Sequence, residues 1–250
     1  KVNEVIQICS TGSKIIFMIG NRRAGKTAEV TWLTENIYKL TGRKIYYYNI
    51  FRAPEFAEII YDMSEVENGS IVVIDEASIT ASARDSTSGS KNRGITSILP
   101  VLGHKDITFI IISQNSSITD INFSKLVDIK LFKPLSGDAL ANERTSMVDE
   151  LTELMIPKPL PIALEEGMFY TDECLLVYND RYITYQHDLP ECWSEKISKS
   201  YANITVEDGL KFARNLFLTS GYSAKDVKVL LDNYGVSKTV KEWETFKDEI

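Results

Sequence analysis

The sequence predicts an α/β fold with a mostly parallel central sheet, for two reasons. Short apolar runs bounded by turn residues, such as residues 71–74 and 109–112, alternate along the chain with segments of helical pattern. Continuous apolar runs of this length are typical of strands in parallel sheets, which are buried on both faces. In addition, a glycine-rich loop at residues 20–27 stands between an apolar run and an amphipathic stretch. Strand, loop and helix in this order form the repeating unit of parallel α/β sheets.

The individual elements follow from the same patterns. Strands are predicted at residues 14–19, 43–50, 70–76, 107–115, 126–132, 167–178 and 181–187. Helices are predicted at residues 28–40, 54–63, 95–102, 137–155, 206–219 and 223–232, with a last helix that starts at Ser237. Asn179-Asp180 predicts a hairpin between the last two strands, and the polar stretch 81–94 predicts a mobile loop. The first 13 residues show no pattern that places them.

Composition limits the classes of function. Of the 250 residues, 44% are hydrophobic and 25% are charged, as in a soluble globular protein. The net charge of −7 implies that any contact with nucleic acid is local. The sequence has no apolar run of membrane-span length, and its three cysteines are too widely spaced to suggest a disulfide framework, so we expect a cytoplasmic protein. With two histidines and no C-x-x-C pair, no zinc site is expected.

The glycine-rich loop fits the pattern G-x-x-x-x-G-K-[ST] of a phosphate-binding P-loop. Its residues are Gly20, Asn21, Arg22, Arg23, Ala24, Gly25, Lys26 and Thr27. The glycines let the backbone turn its N–H groups towards phosphate oxygens, and the following helix adds its positive end. The motif predicts that Lys26 reaches the β- and γ-phosphates of ATP and that the Thr27 hydroxyl binds Mg²⁺.

A second motif lies at the end of the predicted strand 70–76. Asp75 is expected to hold the Mg²⁺, and Glu76 to orient the water that attacks the γ-phosphate. The alternative for this pair is simple polar capping of a strand. Gln114, at the end of the next apolar strand, is expected to contact the γ-phosphate or that water, or else to be an ordinary strand terminus.

A hydrolytic site of this kind usually needs one more cation. Arg84 and Arg93 lie in the loop that follows the Asp-Glu pair, and Arg93 is the preferred candidate for an arginine supplied to a neighbouring subunit. Solvated loop charges are the alternative. Arg22 and Arg23 are expected either to guard the phosphates or to face a neighbour.

Together, the loop at 20–27, the pair Asp75-Glu76 and the segment Ile-Ile-Ser-Gln ending at Gln114 resemble the FtsK/HerA branch of P-loop ATPases. The compact size resembles viral genome-packaging and zonula occludens toxin-like ATPases, although no membrane span is present. The resemblance implies a RecA-like fold in which the strand before Gln114 lies between the P-loop strand and the strand before Asp75. It also implies a ring-shaped homo-oligomer, such as a hexamer, that moves double-stranded DNA. The resemblance further implies capsid, portal or nuclease components as partners. For a viral protein, it implies a location in the host cytoplasm.

The C-terminal part resembles a helix-turn-helix. Its recognition helix would start at Ser237 and offer Lys238, Lys241 and Lys247, which neighbouring carboxylates cancel. A docking or oligomerisation module is therefore an equal alternative to a DNA reader. We expect a P-loop ATPase domain at 1–200, with its core at 14–135 and a hairpin extension at about 167–187, and a helical module at 203–250.

Four functions remain open from the sequence. The leading hypothesis is an ATP-driven motor that translocates or packages DNA. The alternatives are an ATPase that acts on protein in virion or pilus assembly or in secretion, a nucleotide-gated protein that binds DNA or a partner, and a small-molecule kinase. The kinase is disfavoured because no arginine-rich lid follows the P-loop.

Overall fold

The structure is a computed structural model that describes most of the elements predicted around the P-loop. It describes residues 1–21, 24–48, 50–60, 63–75, 106–113, 126–133, 173–194, 197, 204–219, 222–232 and 234–250. The helices are α1 (Val2–Ser10), α2 (Lys26–Thr41), α3 (Val206–Thr219), α4 (Ala224–Asp232) and α5 (Val240–Glu249). The strands are β1 (Ile15–Ile19), β2 (Ile45–Tyr48), β3 (Ala57–Ile60), β4 (Ile71–Asp75), β5 (Thr108–Ser113), β6 (Ile129–Phe132), β7 (Glu173–Tyr178) and β8 (Arg181–Gln186).

These strands form one sheet in the order β3-β2-β4-β5-β1-β6-β7-β8. The first six strands of that order are parallel, and β7 and β8 extend the sheet as an antiparallel hairpin. β5 lies between β1 and β4, which is the arrangement that the resemblance to FtsK/HerA ATPases implies. The carboxyl ends of β1, β4 and β5 therefore meet at one edge of the sheet.

The middle strands are buried on both faces because their side chains alternate between two cores. All five residues of β1 are buried. Ile16 and Met18 join a cluster with α1 and α2, whereas Phe17 and Ile19 join a cluster on the opposite face. This two-sided burial explains why the strands appear in the sequence as unbroken apolar runs.

Left-handed backbone geometry is found at the predicted hairpin turn, which it confirms, and at the end of α2. Asn179 and Asp180 have φ values of 47° and 56°, as a two-residue hairpin with two left-handed positions requires. Gly42 has a φ of 67° and ends α2, with its N–H donating to the carbonyl of Tyr38 over 2.9 Å. Asn and Asp tolerate this conformation better than other side chains, and glycine adopts it without strain.

Three predictions of local structure need correction. Within the helix predicted at 54–63, residues 54–60 are not helical: the chain turns at Pro54 and then forms β3, which pairs with the free edge of β2. The unplaced N-terminal residues form α1, which buries Val5 and Cys9 against the sheet. The last helix begins at Val240 and not at Ser237, because Thr239 and Glu242 form a capping box.

The C-terminal helices surround their own apolar cluster, which includes Phe212, Val227, Leu231 and Trp243. Phe51, which follows β2, inserts into this cluster. Its ring lies 4.8 Å from that of Phe212 and 5.3 Å from that of Tyr234, measured between centroids. The three helices are thus anchored to the sheet near the end of β2.

Arg43 ties together the opposite, amino edge of the sheet. Its guanidinium donates hydrogen bonds to the loop before β1, the loop before β4 and the start of β5. The acceptors are the carbonyl oxygens of Ser10, Gly12, Gly69 and Ser70 and the hydroxyl of Thr108, at 2.6–3.3 Å. One side chain therefore links the amino ends of four neighbouring strands, β2, β4, β5 and β1.

Within the described residues, no helix is both long and apolar enough to cross a bilayer.

Candidate nucleotide site

The glycine-rich loop connects β1 to α2 as the sequence predicts. Gly25 occupies the N-cap position of α2 with φ 85° and ψ 15°, a left-handed conformation that favours glycine. Its carbonyl accepts the N–H of Glu29 over 2.9 Å, and the N–H of Ala24 donates to the carbonyl of Asn21 over 3.1 Å. Because Gly25 has no side chain to cap the helix, the first N–H groups of α2 are available to an anion.

The side chain of Lys26 folds back over this loop. Its Nζ donates to the carbonyl oxygens of Gly20 and Asn21, each over 2.8 Å. The ammonium group is therefore held beside the same backbone segment that the motif assigns to phosphate. Thr27, the next residue, is partly buried in the first turn of α2.

The start of the loop is packed tightly against the end of β6. A Cβ atom on Gly20 would lie 2.7 Å from the Cβ of Lys133, closer than side-chain carbons approach in proteins. The N–H of Lys133 also donates to the carbonyl of Ile19 over 2.9 Å. Glycine at position 20 is thus required by the close approach of a neighbouring strand.

A buried polar cluster lies behind the loop, and sequence reasoning missed it. The carboxylate of Glu29, in the first turn of α2, is fully buried. It contacts Lys133 Nζ at 2.9 Å and His187 Nε2 at 2.7 Å, and it accepts a hydrogen bond from the Tyr185 hydroxyl over 2.6 Å. The His187 ring stacks on Trp32 of α2 with centroids 3.9 Å apart. The one sign of this cluster in the sequence is Lys133, a charged residue that directly follows the apolar strand β6.

The cluster keeps Glu29 ionised in spite of its burial. Burial alone raises the pKa of this carboxyl, but the hydrogen bond from His187 and the charge of Lys133 outweigh it, so the pKa lies below its usual value. The pKa of Tyr185 is raised well above its usual range, mainly by burial and further by the nearby Cys174 and Glu29. A neutral tyrosine hydroxyl therefore donates to an ionised carboxylate.

Asp75 ends β4 at the same edge of the sheet as the loop. It is partly buried, and its register partner on β5 is Ile112. Since β5 alone separates β4 from β1, the two strand axes are about 10 Å apart. Asp75 and the glycine-rich loop are therefore near neighbours at the carboxyl edge of the sheet.

Thr27 and Asp75 fit a magnesium ion by their chemistry. A hydroxyl and a carboxylate are oxygen ligands, and Mg²⁺ in nucleotide sites is bound by one or two protein groups together with phosphate and water. No group of three or more His, Cys, Asp or Glu side chains suited to a metal occurs in the parts of the chain that the structure describes.

The remaining predicted site residues lie outside the described residues. These are Arg22, Arg23, Glu76, Arg93 and Gln114. Glu76 is next in sequence to Asp75, and Gln114 is next to Ser113, the last residue of β5. Their roles stay predictions, as do the mobile loop at 81–94 and the helices at 95–102 and 137–155.

The predicted last helix is present as α5, whereas its role in reading DNA stays a prediction. Seven residues separate α4 from α5, more than the three or four of a tight helix-turn-helix. Lys238 lies over the Trp243 ring at 5.9 Å, and Lys247 lies over the Phe217 ring at 5.5 Å. Two of the three lysines assigned to DNA therefore contact aromatic rings of their own module.

No family model matches the sequence, and no curated protein sequence matches it. Several solved structures do resemble it. The genome packaging NTPase from Sulfolobus turreted icosahedral virus 2 in complex with ATP-gammaS is 11% identical, with a TM-score of 0.48 over 71% of this chain and 98% of that one. The conjugation coupling protein TcpA is 14% identical, with a TM-score of 0.44 over 74% and 62%. The N-terminal domain of zonular occludens toxin from Neisseria meningitidis is 14% identical, with a TM-score of 0.39 over 76% and 99%.

The similarity to packaging and toxin-like proteins that the sequence suggests is thus found again among solved structures. Because these TM-scores lie below 0.5, the fold assignment rests on the sheet itself. A glycine loop joins β1 to α2, β5 stands between β1 and the strand that ends at Asp75, and the strands around them are parallel. This chain has the RecA-like P-loop NTPase fold with the additional central strand.

Proposed function

We propose that this chain is an ATPase motor that translocates or packages DNA as a ring-shaped oligomer. The observation that carries the proposal is the geometry of the loop between β1 and α2. Gly25 opens the helix in a left-handed conformation, and the Lys26 ammonium lies against the loop carbonyls. Asp75 ends β4, which only β5 separates from β1. This arrangement supports binding of a nucleoside triphosphate with Mg²⁺.

Each residue of the loop has a proposed role. Residues 20–27 hold the phosphates through backbone N–H groups, and Lys26 turns from its loop carbonyls to the β- and γ-phosphates. Thr27 and Asp75 hold Mg²⁺, which when bound neutralises charge that develops on the phosphate oxygens. Side chains of the protein stabilise the rest of the negative charge that develops in the transition state.

Three further roles are carried over from the sequence. Glu76 orients and polarises the attacking water, which favours hydrolysis over transfer to an acceptor. Gln114 hydrogen-bonds the γ-phosphate or that water. Arg93 supplies the remaining cation to the nucleotide of a neighbouring subunit, which makes the ring a requirement for full activity.

DNA is the proposed substrate because of the resemblance to FtsK/HerA ATPases. With a net charge of −7, contacts to DNA must be confined to a local basic surface, such as a ring pore. The contacts of Lys238 and Lys247 with aromatic rings favour a docking role for the C-terminal helices over DNA reading. A capsid, portal or nuclease component is the corresponding partner.

The proposal is tested by measuring phosphate release with and without double-stranded DNA at low salt, beside light scattering after size exclusion. We expect ATP hydrolysis that DNA stimulates, from an oligomer. Lys26→Ala removes the cation that contacts phosphate, so hydrolysis should fall at least a hundredfold. The control is Lys39→Ala on the same helix, whose ammonium pairs with Glu191 on the surface and lies outside the loop.

Full hydrolysis by Lys26→Ala would exclude the proposed site. A strict monomer without DNA stimulation would exclude the motor. Strong stimulation by a partner protein and none by DNA would replace DNA with a protein substrate.

A further inference from the structure

The buried cluster around Glu29 is not explained by nucleotide chemistry alone. An ionised carboxylate and a lysine are buried together, with side-chain exposures of 0% and 3%. Burial of a charged pair is costly, and such pairs contribute little to stability compared with apolar side chains of the same size. Their position behind the loop suggests a role in shaping it.

Lys133 contacts both ends of the loop. At the start, its N–H donates to the carbonyl of Ile19 over 2.9 Å, and its Cβ closes the space beside Gly20. At the far end, its ammonium reaches Glu29 Oε2, at 2.9 Å, in the first turn of α2. One residue therefore bridges the point where the loop leaves β1 and the first turn of α2, through its backbone at one end and its ammonium at the other.

Glu29 in turn is held by the hairpin of β7 and β8. The Tyr185 hydroxyl on β8 and the His187 ring just after it contact the two carboxylate oxygens at 2.6 and 2.7 Å. Glu29 belongs to the first turn of α2, so these contacts hold the start of that helix in place. The hairpin is thus connected through one carboxylate to the start of the P-loop helix.

We propose that Glu29 and Lys133 are positioning residues that preorganise the P-loop for phosphate and couple it to the hairpin of β7 and β8. The inference rests on the proposed nucleotide site. A loop held in its binding conformation loses less freedom when the ligand arrives, so the pair acts on affinity. Lys133 also neutralises the carboxylate, which would otherwise repel the phosphates.

The experiment measures ADP binding by calorimetry, ATP turnover and thermal unfolding in one set of variants. The double variant Glu29→Gln/Lys133→Met removes both charges and leaves no unpaired one. We expect its dissociation constant for ADP to rise at least tenfold, with KM for ATP raised more than kcat is lowered. Lys133→Met alone should bind ADP more weakly than the double variant, because it leaves the buried carboxylate without the charge of its lysine partner. Tyr185→Phe removes one donor, and should weaken binding by two- to fivefold.

The matched control is Glu35→Gln. Glu35 is a second buried carboxylate of α2, and it accepts the backbone N–H groups of Glu191 and Cys192 at 3.0 and 3.2 Å. Its loss should lower the melting temperature and leave ADP binding within twofold of the wild type. If the double variant binds ADP as tightly as the wild type, the positioning role is overturned while the nucleotide site stands. If the wild type binds no ADP, both proposals fall.

Discussion

Gly20→Ala tests whether the P-loop is shaped by its contact with β6. The added methyl carbon would lie 2.7 Å from Lys133 Cβ and 3.4 Å from its Cα. Carbon atoms prefer about 3.5–4.0 Å, so the first contact is short by roughly 0.8 Å or more. Overpacking of this kind costs about 1–3 kcal/mol. If the loop moves to relieve it, nucleotide affinity falls by about 5- to 150-fold, since 1.4 kcal/mol is a factor of ten.

The measurement is the dissociation constant for ADP by titration calorimetry, together with thermal unfolding. Gly42→Ala is the control, because Gly42 has a φ of 67° with no atom within 4 Å of an added Cβ. Alanine at this position introduces left-handed backbone strain of about 1–2 kcal/mol without a steric clash, and it does so at the other end of α2. The control should therefore lose stability and keep its ADP affinity. Wild-type affinity in Gly20→Ala would refute the reasoning.

Three other predictions concern the rest of the molecule. Phe51→Ala removes the ring that anchors the C-terminal helices. The free energy of unfolding, measured in urea, should fall by about 3–5 kcal/mol. A loss below about 1 kcal/mol would argue against the anchoring role. Thr239→Ala removes the capping box of α5 and should cost about 1 kcal/mol in the same assay; an unchanged midpoint would contradict the cap. Burial, and then the charge of Glu35, raise the pKa of Cys192 to about 11. Since only the thiolate reacts, its labelling at pH 8 should be roughly a hundred times slower than that of a free thiol, and faster in Glu35→Gln. A rate equal to that of free cysteine would contradict the raised pKa.

The central strands could be predicted because burial on both faces leaves an unbroken apolar run in the sequence. β3 could not, since it is a four-residue edge strand in which Glu58 is exposed and Ile60 is buried. Its conformation is decided by pairing with β2, and a short segment of this composition has no periodicity that separates strand from helix. α1 was missed although Val2, Val5 and Cys9 follow helical spacing, because its nine residues are few for a periodic pattern.

The motif residues of the candidate site could be predicted because the P-loop depends on a local sequence. The cluster behind it could not, because its members are brought together by the sheet. Tyr185 and His187 are 156 and 158 residues from Glu29 along the chain. No local pattern links a helix residue to the end of an edge hairpin, so this part of the site emerges only from the fold.

The hydrogen bonds of Arg43 have a mechanical consequence for the sheet. They hold the amino ends of four strands to one guanidinium, while the candidate nucleotide site occupies the carboxyl ends. A rearrangement that keeps these bonds must pivot about the amino edge. Over a strand of about 17 Å, a tilt of roughly 5° then moves the carboxyl end by about 1.5 Å, which is half the length of a hydrogen bond. Any tilt of the strands that keeps the bonds of Arg43 is thus smallest at the amino edge and largest at the carboxyl ends, where the candidate nucleotide site lies.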